Sequence, residues 1–217
     1  AASVLVGDFL YSRSFQMMVE LGDMRIMRVL SDATNIIAEG EVLQLMNCHD
    51  ADVDELRYLQ VIRYKTAKLF EAASHLGAII GGAEPETERS LADYGTHLGT
   101  AFQLIDDVLD YSGTEAETGK HLGDDLAEGK PTLPLIYVMQ NGTPTQAECV
   151  RKAIEHGGRE DFPGVLAAIH ATGALEHPHQ QASKEAERAA AALESLPAST
   201  HKDSLLELSA FAVDRSF

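Results

Sequence analysis

The run GTAFQLIDDVLDYSG at residues 99–113 places Asp106, Asp107 and Asp110 within an otherwise apolar, helix-periodic stretch. Residues three and four apart share a helix face, so the three carboxylates crowd one flank, opposite a core-facing stripe of Leu98, Phe102, Ile105 and Leu109. Like charges so spaced cost roughly a few tenths of a kcal/mol each in water and more in a cleft, and they call for a compensating cation. By itself the DDxxD pattern reads most simply as a solvated acidic face. Two neighbouring features point elsewhere. Gln103 lies one turn earlier on the acidic side, and Gly95 and Gly99 continue that stripe. A mid-helix glycine costs roughly 0.5–1 kcal/mol relative to alanine, so two of them at four-residue spacing imply close approach of another backbone or of a ligand. A hard divalent cation such as Mg2+ suits carboxylates that supply one or two ligands and leave the other positions to water and substrate phosphates. The chemistry implied is a metal-bridged diphosphate site.

Helices must position these groups. Apolar residues recur at helical spacing from end to end with few β-branched alternations, so the whole chain reads as all-α. One helix is already under way at residue 1, and others are expected at about 23–46, 53–80, 85–112, 131–140, 145–156, 161–171, 174–195 and 202–215. Pro85 and Pro131 both fit a first helical turn, where a missing N–H is harmless. The one long irregular segment, Ser112 to Lys130, is a candidate functional loop.

With 217 residues, the chain is long enough for one sizeable core, and a single all-helical domain over 1–217 is the simplest organisation. Its 34 acidic against 17 basic residues give a net charge of −17, which argues against nucleic acid as a partner and requires any phosphate-bearing substrate to be met by metal ions or a few placed lysines. No apolar run approaches a bilayer span and no signal peptide is visible, so the reading is cytoplasmic with no transmembrane segment. Cys48 and Cys149 are far apart and outside any CxxC spacing, which fits neither a disulfide framework nor a zinc site. His49, His97, His121, His177 and His179 form no i, i+4 metal pair and read as surface or packing residues.

The aspartate run resembles the second aspartate-rich motif of the trans-isoprenyl diphosphate synthases. YKTAKLFEAA (64–73) is similar to that family's Lys-Thr motif, and TGKHLGDDLAEGKPTLPLIY (118–137) to the loop that follows its aspartates. LVGDFLYSRSFQMM (5–18) and IAEGEVLQLM (37–46) extend the likeness, which holds in order and spacing over residues 1–140. The resemblance implies an isoprenoid synthase-type helical bundle with a central substrate cavity. It also implies head-to-tail condensation of isopentenyl diphosphate with an allylic diphosphate of farnesyl or geranyl type, in the long-chain, quinone side-chain branch with an octaprenyl product.

By the same resemblance, Asp106 binds Mg2+ bridging the allylic diphosphate, with Asp107 and Asp110 as further ligands or as holders of metal-bound water. Lys65, Lys120 and Lys130 match the lysines that touch the diphosphate, and Thr66 and Gln103 match residues beside the ionising carbon. Asp124 and Asp125 either order metal-bound water or cap a turn. Residues 1–46 resemble helices of a homodimer interface, to which the stripe Leu5, Phe9, Phe15 and Met18 adds apolar surface. Glu39 and Glu41 fall on a helix of structural role. Terpene cyclases share aspartate-rich helices and Mg2+ but not the Lys65-Thr66 motif or the GDDLAEGKPTLP loop.

The family's first DDxxD motif, the arginine pair after it and its upstream basic cluster do not occur in these residues. The expectation is therefore the C-terminal two-thirds of a synthase domain, inactive as a 217-residue chain alone. The alternative is a non-catalytic regulatory subunit of a heteromeric synthase.

Overall fold

Helix starts fall where an oxygen-bearing side chain can accept an amide that the helix itself leaves unpaired. In the computed structural model, which describes residues 2–112, 122–157 and 159–215, helix α1 (Ala2–Leu21) is followed by Asp23, which accepts the Arg25 N–H at 2.8 Å and opens α2 (Met24–Asn47). Asp54 accepts the Arg57 N–H at 2.8 Å and opens α3 (Glu55–Ile62). A π-helical segment, Arg63–Ala67, then runs without a break into α4 (Lys68–Ile80). Helix α5 (Pro85–Ser112) begins on its proline and carries the aspartates.

Beyond it come the single turn α6 (Asp124–Ala127), α7 (Leu133–Asn141) and α8 (Pro144–His156), the last opened by a reciprocal capping box between Thr143 and Gln146. Helices α9 (Phe162–Thr172), α10 (Glu176–Ala192) and α11 (Thr200–Asp214) complete the order, the last capped by Ser199. The expected helices are present within about two to three residues at their ends, as is usual for frayed termini. Pro131 is the exception: it precedes the N-cap Thr132, and Pro134 takes the first-turn place instead. No strand occurs among the described residues.

Helix α5 forms the axis, with α4 along one side and α10 along the other. Four apolar clusters surround it. Tyr58, Ile62, Leu104, Ile105, Leu133 and Ile136 join α3, α5 and α7. Leu126, Val138, Val150, Ile154 and Ile169 join α6 to α9. Tyr94, Leu98, Leu193 and Ala212 join α5, α10 and α11, and Met18, Ile26 and Ile79 join α1, α2 and α4. The stripe expected to be free on α1 is therefore divided. Met18 is buried and Phe15 packs against the same cluster, whereas Leu5 and Phe9 are 68% and 65% exposed, beside exposed Val4, Val6 and Leu10. Among the described residues no helix is long and apolar enough to cross a membrane.

Candidate diphosphate site

Two glycines, one on α2 and one opening the aspartate run, shape the site. A Cβ on Gly40 of α2 would stand 2.6 Å from the Lys65 backbone nitrogen, and one on Gly99 of α5 would stand 2.6 Å from Ala67 Cα. Both helices therefore press directly on Arg63–Ala67, where the Lys68 N–H reaches back five residues to the Arg63 carbonyl. The wide turn changes the direction of the side chains it carries, and these include Lys65 and Thr66. Gly95 has the same cause, since its Cβ would stand 2.4 Å from the Phe70 carbonyl oxygen. Of the two explanations open for the Gly95–Gly99 stripe, a neighbouring backbone is the one realised; the neighbour is the backbone of the π segment and α4.

A cavity of about 320 Å³ opens between α2, α3 with its π segment, α5 and the turn after α6. Lys65, Thr66, Gln103, Asp106, Asp107 and Lys130 all line it. Thr66 Oγ1 donates to Gln103 Oε1 at 2.9 Å, and Gln103 Nε2 donates to Asp107 Oδ1 at 2.8 Å. The other carboxylate oxygen of Asp107 accepts the Tyr58 hydroxyl at 2.7 Å. Asp107 is only 3% exposed, so the three aspartates do not share one solvated flank. Burial, reinforced by the charge of Asp125, pushes Asp107 up to about 8 despite the two bonds that favour its anion. Asp110 does not line the cavity: it turns toward α6, where its Oδ2 accepts the Asp125 N–H at 3.3 Å. Burial and Asp125 push it up to about 7.

Asp106 is left as the half-exposed carboxylate of the three on the cavity wall. It has a cation beside it: Arg215 Nη2 lies 3.8 Å from Asp106 Oδ1, donates to the Phe102 carbonyl at 2.8 Å and stacks its guanidinium 3.9 Å from the centre of the Phe102 ring. Phe102 is thus half-buried under a guanidinium and not a core residue like Leu98 and Ile105.

The lysines are held by acids and amides. Lys65 Nζ donates to Gln44 Oε1 at 3.0 Å and lies 3.4 Å from Glu41 Oε2, so Glu41 touches the site that sequence reasoning kept it out of. Lys130 bridges Asp125 at 2.9 Å and Glu128 at 2.7 Å; burial opposes its charge, but these two carboxylates prevail and hold its pKa above the usual lysine value. Of the loop acids, Asp125 faces the cavity, and Asp124 pairs with Arg159 outside it. Lys120 and His121 lie outside the described residues.

Tyr58, Gln44 and Arg215 escaped the sequence reading. Tyr58 carries a weak signal, a polar-tipped aromatic two turns before Lys65 on the same helical run. Arg215 carries none, because its contact with Asp106 exists only once α11 has docked.

The arrangement suits a divalent cation carried with its substrate. Among the described residues no three acidic, histidine or cysteine side chains converge as a ready-made cage. Asp107 has both oxygens engaged, and Asp106 offers a carboxylate into the cavity. Mg2+ is commonly held this way, by one or two carboxylates with phosphates and water completing its octahedron. A bare diphosphate would face Asp106, Asp107 and Asp125 against Lys65 and Lys130, so this wall suits such an anion together with a compensating cation.

Comparison with known proteins agrees. The chain is 54% identical over 216 residues to octaprenyl diphosphate synthase of Escherichia coli, covering 99% of this chain and 67% of that protein. It is 50% identical to the Haemophilus influenzae octaprenyl diphosphate synthase, covering all of this chain and 66% of that one. The chain thus spans about two thirds of the length of these relatives. A crystal structure of polyprenyl synthase from Caulobacter crescentus, complexed with calcium and isoprenyl diphosphate, superposes with a TM-score of 0.95 at 44% identity, covering 100% of this chain and 67% of that one. The polyprenyl synthetase family profile matches residues 1–169, and on these grounds the chain belongs to the polyprenyl synthetase family.

Proposed function

We propose that this chain carries the second aspartate site of a trans-polyprenyl diphosphate synthase that condenses isopentenyl diphosphate with an allylic diphosphate, and that its product is an octaprenyl chain, as the names of the Escherichia coli and Haemophilus influenzae relatives suggest. The observation that carries this reading is the single cavity lined by Lys65, Thr66, Gln103, Asp106 and Lys130. In the reaction the allylic C–O bond breaks with its electron pair leaving on the diphosphate. The double bond of isopentenyl diphosphate then attacks the cation to form a C–C bond, and a proton is lost.

Mg2+, when bound, supplies positive charge against the departing diphosphate. Asp106 would hold it. Lys65 and Lys130 bind diphosphate oxygens the metal leaves uncovered, acting as point charges on flexible stems. Lys120 is assigned to the same task. The Thr66–Gln103–Asp107–Tyr58 chain fixes a row of oxygen dipoles beside the reacting carbon, where they favour a cation without any protein nucleophile. Asp107, buried and bonded to Gln103, acts by orienting that amide, and Asp110 acts by anchoring the turn that holds Asp125. We place the enzyme in the cytoplasm, with its water-soluble diphosphate substrates.

The test is incorporation of labelled isopentenyl diphosphate with a farnesyl or geranyl diphosphate primer. The intact synthase should elongate the primer in a Mg2+-dependent way, and residues 1–217 alone should not, because they carry one of the two aspartate motifs the reaction uses. Turnover independent of divalent cations, or robust turnover by the 217-residue chain, would sink this reading.

The partner we propose for the exposed α1 face is a second copy. Leu5, Phe9, Leu10, Val42, Leu45 and Met46 are each more than half exposed on α1 and α2, an apolar extent typical of obligate interfaces of roughly 2,000 Å² or more. Sedimentation equilibrium should give a dimer at micromolar concentration. A stable monomer there would overturn the assignment.

A further inference from the structure

His49 sits in the turn between α2 and α3 with φ 63, the non-glycine residue with a left-handed backbone among those described. A side chain in that region is uncommon and needs surrounding contacts to hold it. Its contacts come from two distant segments. The His49 N–H donates to the Gly129 carbonyl at 2.8 Å, and the imidazole Nδ1 lies 3.0 Å from the Ile154 carbonyl near the end of α8. A carbonyl only accepts, so Nδ1 carries the proton in this bond. Two glycines make room for the ring: a Cβ on Gly129 (φ +68) would stand 2.3 Å from Nδ1, and one on Gly157 would stand 3.0 Å from Cε1.

The next residue after Gly129 is Lys130, whose ammonium lines the cavity between Asp125 and Glu128. The last turn of α2, just before His49, contributes Gln44 and Asn47 to the wall of the same cavity. His49 therefore joins three segments: its main-chain N–H ties the end of α2 to the backbone that carries Lys130, and its imidazole, packed against Gly129, ties both to α8.

We infer that His49 is a positioning residue for Lys130, setting where that ammonium meets a diphosphate. The inference rests on the proposed role of Lys130 in diphosphate binding. His49→Asn keeps the left-handed turn, which asparagine tolerates, and keeps the backbone N–H bond, but it removes the ring.

The test measures binding of pyrophosphate in saturating Mg2+ to the intact synthase by calorimetry, with thermal midpoints recorded in parallel. His49→Asn should raise Kd by about five- to tenfold, within the range a misplaced charge-assisted contact gives, with a midpoint near that of the parent. Lys130→Met should weaken binding at least as much. In the Lys130→Met background His49→Asn should add less than about twofold, the non-additivity of residues acting through one contact. An unchanged Kd for His49→Asn, or full additivity of the two substitutions, overturns the positioning role. An unchanged Kd for Lys130→Met overturns the diphosphate role of the lysine itself and the inference with it.

Discussion

Asp106→Ala and Asp106→Asn in the intact synthase should each lower kcat by roughly 10²–10³-fold, the scale on which removal of one charge-stabilising group slows a reaction whose charge develops in the transition state. Asp106 is singled out by geometry. Its neighbour Asp107 is buried and bonded to Tyr58 and Gln103, and Asp110 faces α6, whereas Asp106 lines the cavity half-buried. The asparagine variant keeps the shape and removes the charge, which separates loss of the metal from loss of packing beside Arg215. Lys65→Ala should also fall chiefly in kcat, since an ammonium that neutralises the leaving group is worth more as that group departs. Lys152→Ala, which breaks a surface pair with Glu148, should leave both constants unchanged. Steady-state incorporation of isopentenyl diphosphate reads all four variants. Wild-type turnover in Asp106→Asn would remove Asp106 from the metal site.

Acidity and metal should act on neighbouring aspartates of α5. In the folded protein Asp107 is pushed up to about 8 and Asp110 to about 7, each from an ordinary value of 3.8. Both bind protons more tightly folded than unfolded, so the stabilisation they give is complete below about pH 4 and is lost as pH rises through 7 and 8. Acids held below their usual range, such as Asp23, Asp50 and Glu185, lose stability only on the far acid side. Across the interval from pH 5 to 8.5 Asp107 and Asp110 should therefore lower the thermal midpoint of the metal-free protein.

Mg2+ with pyrophosphate should reverse that decline. At a hundredfold excess over Kd a ligand adds about 2.7 kcal/mol, or about 5–10 °C for a chain of this size, and the rise should be larger at pH 8 than at pH 5.5 because ionised Asp107 and Asp110 add negative charge around the cation that Asp106 would hold. Asp106→Ala should abolish the ligand-induced rise and leave most of the pH slope, which belongs to Asp107 and Asp110. Differential scanning calorimetry decides the matter: a midpoint that climbs from pH 5 to 8.5 without metal, or that ignores metal and pyrophosphate together, contradicts this account.

The sequence alone determined what depends on near neighbours. Helix starts at Asp23, Asp54, Pro85 and Thr143 are set by a side chain meeting an amide two or three residues away, or by a ring that fixes its own φ. The chemical inventory was equally legible, because Asp106, Lys65, Thr66, Gln103 and Lys130 lie in linear motifs whose order and spacing mark the family.

What the chain does with that inventory was decided between segments distant in sequence. Nothing in RYKTA announces a π turn; it forms where Gly40 of α2 and Gly99 of α5 bring two backbones against it. The three aspartates look equivalent on a helical wheel, and the tertiary structure makes them different. Tyr58 and Gln103 close over Asp107, the turn at Asp125 engages Asp110, and Asp106 lines the cavity half-buried, with Arg215 of the C-terminal segment beside it. Periodicity reports which face of a helix is apolar, but burial, the pKa of a buried acid and the partner of a charge depend on which other helix covers that face. That pairing is an outcome of packing, to which local sequence contributes shape without naming the neighbour.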